Sequence, residues 1–102
     1  MGAYEFDQRA TGKDADEAFD NARRQAQYDH GHGGYTGTIA EKHNYVIIER
    51  KPVGESEANA IADKLMNDDD PRISDKWGPA GAVLVSESAG VQDWLFFGWA
   101  SS

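Results

Sequence analysis

Residues 94 to 99 read Trp94-Leu95-Phe96-Phe97-Gly98-Trp99, and the alternation in this run decides how the chain can be layered. Successive side chains of a strand point to opposite faces. Trp94, Phe96 and Gly98 therefore share one side and Leu95, Phe97 and Trp99 the other, so both faces are apolar. Val46-Ile47-Ile48 repeats the pattern in mid-chain. A sheet built on these strands needs cover on both sides.

The elements around these strands follow from periodicity. Tyr4, Phe6 and Gln8 alternate with Ala3, Glu5 and Asp7 as in a half-buried strand, which Gly12 and Lys13 end. Asp14 with Glu17 three residues on is a capping-box signal. Ala15, Ala18, Phe19, Ala22 and Ala26 then form a helical stripe made mostly of alanine, suited to close packing on a sheet. Tyr35–Glu41 and Tyr45–Arg50 read as a β-hairpin turning at Asn44. Ser56 is the expected cap of a second helix carrying Ala58, Ile61, Ala62, Leu65 and Met66, which Asn67 to Pro71 stops. Strands at Ala82–Val85 and Trp94–Trp99 close the chain, with a break at Gly90.

This order predicts an α+β fold: a ferredoxin-like two-layer sandwich, βαββαβ plus an extra C-terminal strand, with both helices on one face of a mainly antiparallel sheet. Such an arrangement leaves the second face open. Several aromatics on it would favour association, since burying each contributes about 1.5–3 kcal/mol. The expectation is a homo-oligomer, a dimer, joined through Trp94, Phe96, Phe97 and Trp99.

Composition limits the function. The 102 residues fit a single domain spanning 1–102. A net charge of −8 disfavours a broad nucleic-acid or anionic-membrane surface. The absence of Cys excludes disulfides, thiolate zinc sites and thiol nucleophiles. No apolar run approaches the ~20 residues of a membrane-spanning helix, and Met1–Gln8 lacks a signal-peptide pattern, so a cytoplasmic protein is expected. No nucleophile elbow or distinctive carboxylate pair is visible, which points away from an enzyme and implies no cofactor.

The most suggestive stretch is Asp29-His30-Gly31-His32-Gly33-Gly34-Tyr35-Thr36-Gly37-Thr38. Glycines free backbone N–H groups to converge on an anion, hydroxyls add donors, and an aromatic can stack on a base. Charge agrees: Arg23 to Lys51 carries five Lys/Arg against three Asp/Glu and holds every His. A small anionic ligand would be held by Gly33, Gly34, Gly37, Thr36 and Thr38, with Tyr35 stacking, Arg24, Lys42 and Arg50 as cations, His30 and His32 nearby, and Trp77 as an opposing wall. The stretch is neither a P-loop nor a dinucleotide fingerprint. A metal site on Asp29, His30, His32 and His43 is not expected, because His32 and His43 bracket a predicted strand and lie roughly 25 Å apart. Asp68-Asp69-Asp70 reads as a solvated helix end, since Pro71 breaks the calcium-loop pattern.

Gly34-Tyr35-Thr36-Gly37-Thr38-Ile39 and Lys76-Trp77-Gly78-Pro79-Ala80-Gly81 resemble stretches of small uncharacterised bacterial and bacteriophage proteins. The resemblance implies that the two loops belong together and favours a binding or sequestering role, without assigning an activity. The leading expectation is a noncatalytic oligomeric module for a small phosphorylated or nucleotide-like ligand. The alternatives are a protein-binding inhibitor or adaptor using the aromatic sheet face and acidic surface, and a metal-dependent hydrolase built on His30 and His32.

Overall fold

The computed structural model describes residues 3–30 and 37–101, apart from the side chains of His30 and Ser101. Strand β1 (Ala3–Gly12) leads into helix α1 (Ala15–His30). A short 3-10 turn (Ile39–Glu41) precedes β2 (Tyr45–Glu49), α2 (Glu55–Asn67), β3 (Ala80–Ser88) and β4 (Val91–Ser101). The sheet order is β1-β4-β3-β2. The β1–β4 and β4–β3 pairs are antiparallel and β2–β3 is parallel. The class is α+β, with two helices on a mainly antiparallel four-stranded sheet.

The element order departs from the ferredoxin-like one because the expected Tyr35–Glu41 strand is not formed over its described part. Gly37, at φ +70°, donates its N–H to the Glu41 carboxylate at 2.6 Å. The Thr38 hydroxyl accepts the Ala40 N–H at 3.2 Å. With the Glu41 and Lys42 N–H groups donating back to the Thr38 and Ile39 carbonyls, these local bonds commit the segment to a capped 3-10 turn in place of a ladder. Asn44 does not turn a hairpin; its carbonyl accepts the Ala80 N–H at 3.1 Å and starts the β2–β3 pairing. The hairpin of the fold lies between β3 and β4, where Ala89 (φ 52°) and Gly90 (φ 80°) make a two-residue turn. Two left-handed residues in succession match the strands' twist.

The two helices lie on opposite faces, not on one. Ala18, Phe19, Ala22 and Ala26 of α1 cluster with Ala82, Leu84, Trp94 and Phe96. Ala58, Ala62, Leu65 and Met66 of α2 cluster with Val83, Val85, Leu95 and Phe97. Connectivity supplies the reason. From β1 the chain crosses the sheet to its far edge at β2, then steps back inward to β3. Crossovers between parallel strands keep one hand, so reversing direction moves the second helix to the other face.

The expected oligomer interface is therefore covered within the single chain. Trp94, Phe96 and Phe97 are 2%, 0% and 1% exposed, and Trp99 is half-buried against the α2 cluster. Packing on the α2 face is tight: a Cβ on Gly81 would lie 2.7 Å from the Phe97 ring and 3.0 Å from Ile73. Among the described residues no helix is long and apolar enough to cross a membrane.

Candidate functional site

An open cleft of about 710 Å³ is lined by residues 13–24 at the start of α1 and by His43, just before β2. Its floor forms because the alanine stripe draws α1 close to the sheet. Phe19 then meets Tyr45 at 4.9 Å and Phe96 at 5.4 Å between ring centroids. At the start of α1, Asp14 accepts the Glu17 N–H at 2.9 Å, and the Glu17 carboxylate returns to the Lys13 N–H at 2.9 Å. This capping box sets the register of everything that follows on the helix. Ser56 plays no such part for α2, whose N-cap is Gly54 without a side-chain bond.

One turn after Phe19, Arg23 points into the cleft. Its guanidinium lies 6.0 Å from the Phe19 ring centroid and reaches the Ala40 carbonyl at 3.5 Å. Its Nε is buried and has no hydrogen-bond partner among the described residues. A buried charged donor in that condition is costly unless something polar completes it. Arg24 also lines the cleft, but its guanidinium is paired with Asp20 at 2.6 Å on the helix surface. His43 and Lys13 line the same cleft. Carboxylates share the walls: Asp16 bonds the Tyr45 hydroxyl, and Asp14, Glu17 and Asp20 line the rest. The phenol of Tyr45 is raised above its usual range, first by burial and then by its bond to Asp16.

The expected ligand cations separate. Lys42 is 1% exposed, and its ammonium donates to the carbonyls of Gly78 at 2.8 Å, Lys76 at 3.0 Å and Asp75 at 3.5 Å. It is a structural tie between the 37–42 turn and the 75–79 turn, not a ligand donor. Burial lowers its pKa, while the charges of Asp75 and Glu41 oppose that shift. Arg50 follows the C-terminal end of β2, a strand length from the 37–42 turn. Trp77 is 60% exposed on the turn that Lys42 holds, with Lys76 Nζ 5.3 Å from its ring centroid. The Gly37 N–H and Thr38 hydroxyl are used in capping. Gly31, His32, Gly33, Gly34, Tyr35 and Thr36 lie outside the described residues, as does the side chain of His30.

Arg23 and His43 were not among the expected ligand residues. The available signal was spacing. Arg23 follows Phe19 by four positions on the face next to the buried alanines, whereas Arg24 is rotated outward. In the acidic run, Asp70 binds the Arg72 guanidinium at 2.9 and 3.0 Å and the Arg72 N–H at 2.9 Å, which holds its carboxyl down at about 2. Asp68 pairs with Lys64 at 3.2 Å. No group of three or more potential metal ligands occurs among the described residues.

An α+β domain with a mixed-charge cleft on its first helix is thus the class that fold and site define. No family model and no solved structure matches the chain. It is 38% identical over 65 residues to glyceraldehyde-3-phosphate dehydrogenase 3.1 of Caenorhabditis briggsae, covering 64% of this chain and 17% of that enzyme. Glyceraldehyde-3-phosphate dehydrogenases 2 and 3 of Caenorhabditis elegans are each 37% identical over 65 residues with the same coverage. The chain spans about 17% of the length of the curated relatives it matches.

Proposed function

We propose that the chain is a noncatalytic binding module whose α1 cleft takes a small phosphorylated or nucleotide-like ligand. The observation that carries this reading is the Arg23 guanidinium, which lines the cleft together with Lys13, Arg24 and His43 and whose Nε has no hydrogen-bond partner among the described residues. An anionic oxygen in the cleft would be held by the outer N–H groups of this guanidinium through a charge-assisted hydrogen bond. The carboxylates of Asp14 and Asp20 on the same walls suit the hydroxyls of a sugar, which donate where a bare anion would be repelled. The partial likeness to enzymes that act, by name, on glyceraldehyde-3-phosphate supports a phosphorylated ligand. Because the shared length is a small part of those enzymes, dehydrogenase activity is no part of the reading.

The test is a thermal shift and calorimetric titration with inorganic phosphate, glyceraldehyde-3-phosphate, adenosine monophosphate and a dinucleotide. Binding to the folded state raises Tm by mass action. Arg23→Met keeps the aliphatic packing on Phe19 and removes the donor; it should weaken binding about tenfold or more, the ~1.5–3 kcal/mol of a charged hydrogen bond. No response to any of these ligands, or equal affinity in Arg23→Met, would overturn the proposal.

A further inference from the structure

Strand β1 is ten residues long, stands at the edge of the sheet and pairs only with β4 among the described residues. Which of its backbone groups face outward can be worked out across the sheet. The Ala80 N–H donates to Asn44 and the Leu84 carbonyl accepts from Val53, so the even residues of β3 face β2 up to the irregularity between Leu84 and Ser86, at which the Val85 carbonyl also turns to that side. Its odd residues Gly81 and Val83 then face β4, where they stand opposite Phe97 and Leu95. Neighbouring residues of a strand direct their hydrogen-bonding groups to opposite sides, so Trp94, Phe96 and Gly98 face β1. Their partners Ala10, Gln8 and Phe6 complete that ladder, leaving Glu5, Asp7, Arg9 and Thr11 directed to the open edge. The Thr11 carbonyl agrees: it accepts from the Asn21 side chain of α1 at 2.8 Å.

We infer that this edge pairs with the β1 edge of a second copy, antiparallel, about a two-fold axis at Gln8. The sequence of β1 selects that register. Outward-facing residues must meet outward-facing residues, so the axis passes through a single position. Centred on Phe6 it sets Glu5 against Asp7, centred on Asp7 it sets Asp7 against itself, and centred on Arg9 it sets Arg9 against itself. Centred on Gln8, Asp7 meets Arg9 twice, Glu5 meets Thr11 and Phe6 meets Ala10. Like charges directly opposite are unfavourable and opposite charges favourable. Among the registers centred from Phe6 to Arg9, this one alone is free of the first and carries two of the second; centring on Ala10 would bring only five residues of each β1 into register, with no charge pair among them.

The result is an eight-stranded sheet with both α1 helices on one face. It is isologous, as a two-fold interface must be, and closes an edge that would otherwise be open to indiscriminate pairing. The occupant is thus a second copy joined at the strand edge, not through the aromatic face that the helices cover.

Sedimentation equilibrium of the full chain over a wide concentration range should show a monomer–dimer equilibrium. Asp7→Lys, at an exposed position, should weaken the dimer about tenfold or more by opposing two cations twice. Arg9→Glu should do the same by opposing acids, and mixing the two variants should restore dimerisation because each charge then meets its opposite. Arg9 also binds Asp93 and Glu55, so Asp7→Pro supplies a check that spares those contacts. It removes an outward N–H that β4 does not use and should abolish the dimer while circular dichroism stays unchanged. A chain that is monomeric throughout, or a dimer indifferent to Asp7→Lys and Asp7→Pro, would overturn the inference; the first result would leave the edge to a strand of another protein.

Discussion

Lys42 shows how a single residue changes meaning once its surroundings are known. A lysine near a glycine-rich segment suggests an anion site, yet this ammonium is enclosed by backbone carbonyls of the 75–78 turn and lies 5.9 Å from the Phe6 ring centroid. The Asp75 carbonyl also accepts the Gly78 N–H, so the tie rests on the Lys76 and Gly78 carbonyls, and a hydrogen bond from a charged group contributes about 1.5–3 kcal/mol. Lys42→Met should lower unfolding stability by about that amount in urea denaturation, and should speed amide exchange in residues 76–80. A loss within about 0.5 kcal/mol, as for an ordinary surface cation, would show the tie to be unimportant. Arg23 is the converse case. Its place beside the core was legible in the four-residue step from Phe19, but its meeting with the Ala40 carbonyl and its sharing of a cleft with His43 depend on where another part of the chain arrives.

Among the elements, α1 was the most legible and the 37–44 segment the least. The capping box needs only residues three apart, and Asp14 and Glu17 form it as expected. Asp14→Ala should cost about 1 kcal/mol of stability, within the ~0.5–2 kcal/mol range for lost caps; a chemical-denaturation midpoint that does not move would contradict this. The segment from Tyr35 onward carries β-branched and aromatic residues that favour a strand. Those propensities are weak beside specific bonds: one carboxylate, Glu41, and one hydroxyl, Thr38, turn its described part into a 3-10 cap. The second helix was found with its stripe intact, but its start lies at Gly54 rather than Ser56. The chain leaves the sheet there, where the Gly54 N–H donates to the Val85 carbonyl at 2.9 Å.

For the molecule as a whole, the phenol of Tyr45 ties β2 to α1 through Asp16. Its pKa lies above the ordinary 10.0 because burial and the neighbouring Asp16 and Asp14 carboxylates disfavour the phenolate. The folded state therefore holds this proton more tightly than the unfolded chain. The associated stability is complete below about pH 10 and is lost as pH rises through the raised value. Stability measured from neutral to strongly alkaline pH should fall less steeply above pH 10 in Tyr45→Phe than in the parent chain. An identical alkaline limb in the two would remove Tyr45 from the cause.

The sequence by itself determined the local elements: the α1 stripe and its cap, the apolar alternation of β4, the β2 run, and hence the α+β class. Those signals have periods of two or three to four residues, within reach of local geometry. It also showed correctly that both faces of the central strands need cover. Only the tertiary structure decided what provides it, because strand order and crossover direction are long-range properties. Once β3 pairs inside β2, a common hand sends α2 to the face opposite α1, and the aromatic surface expected to join two copies becomes the interior of one.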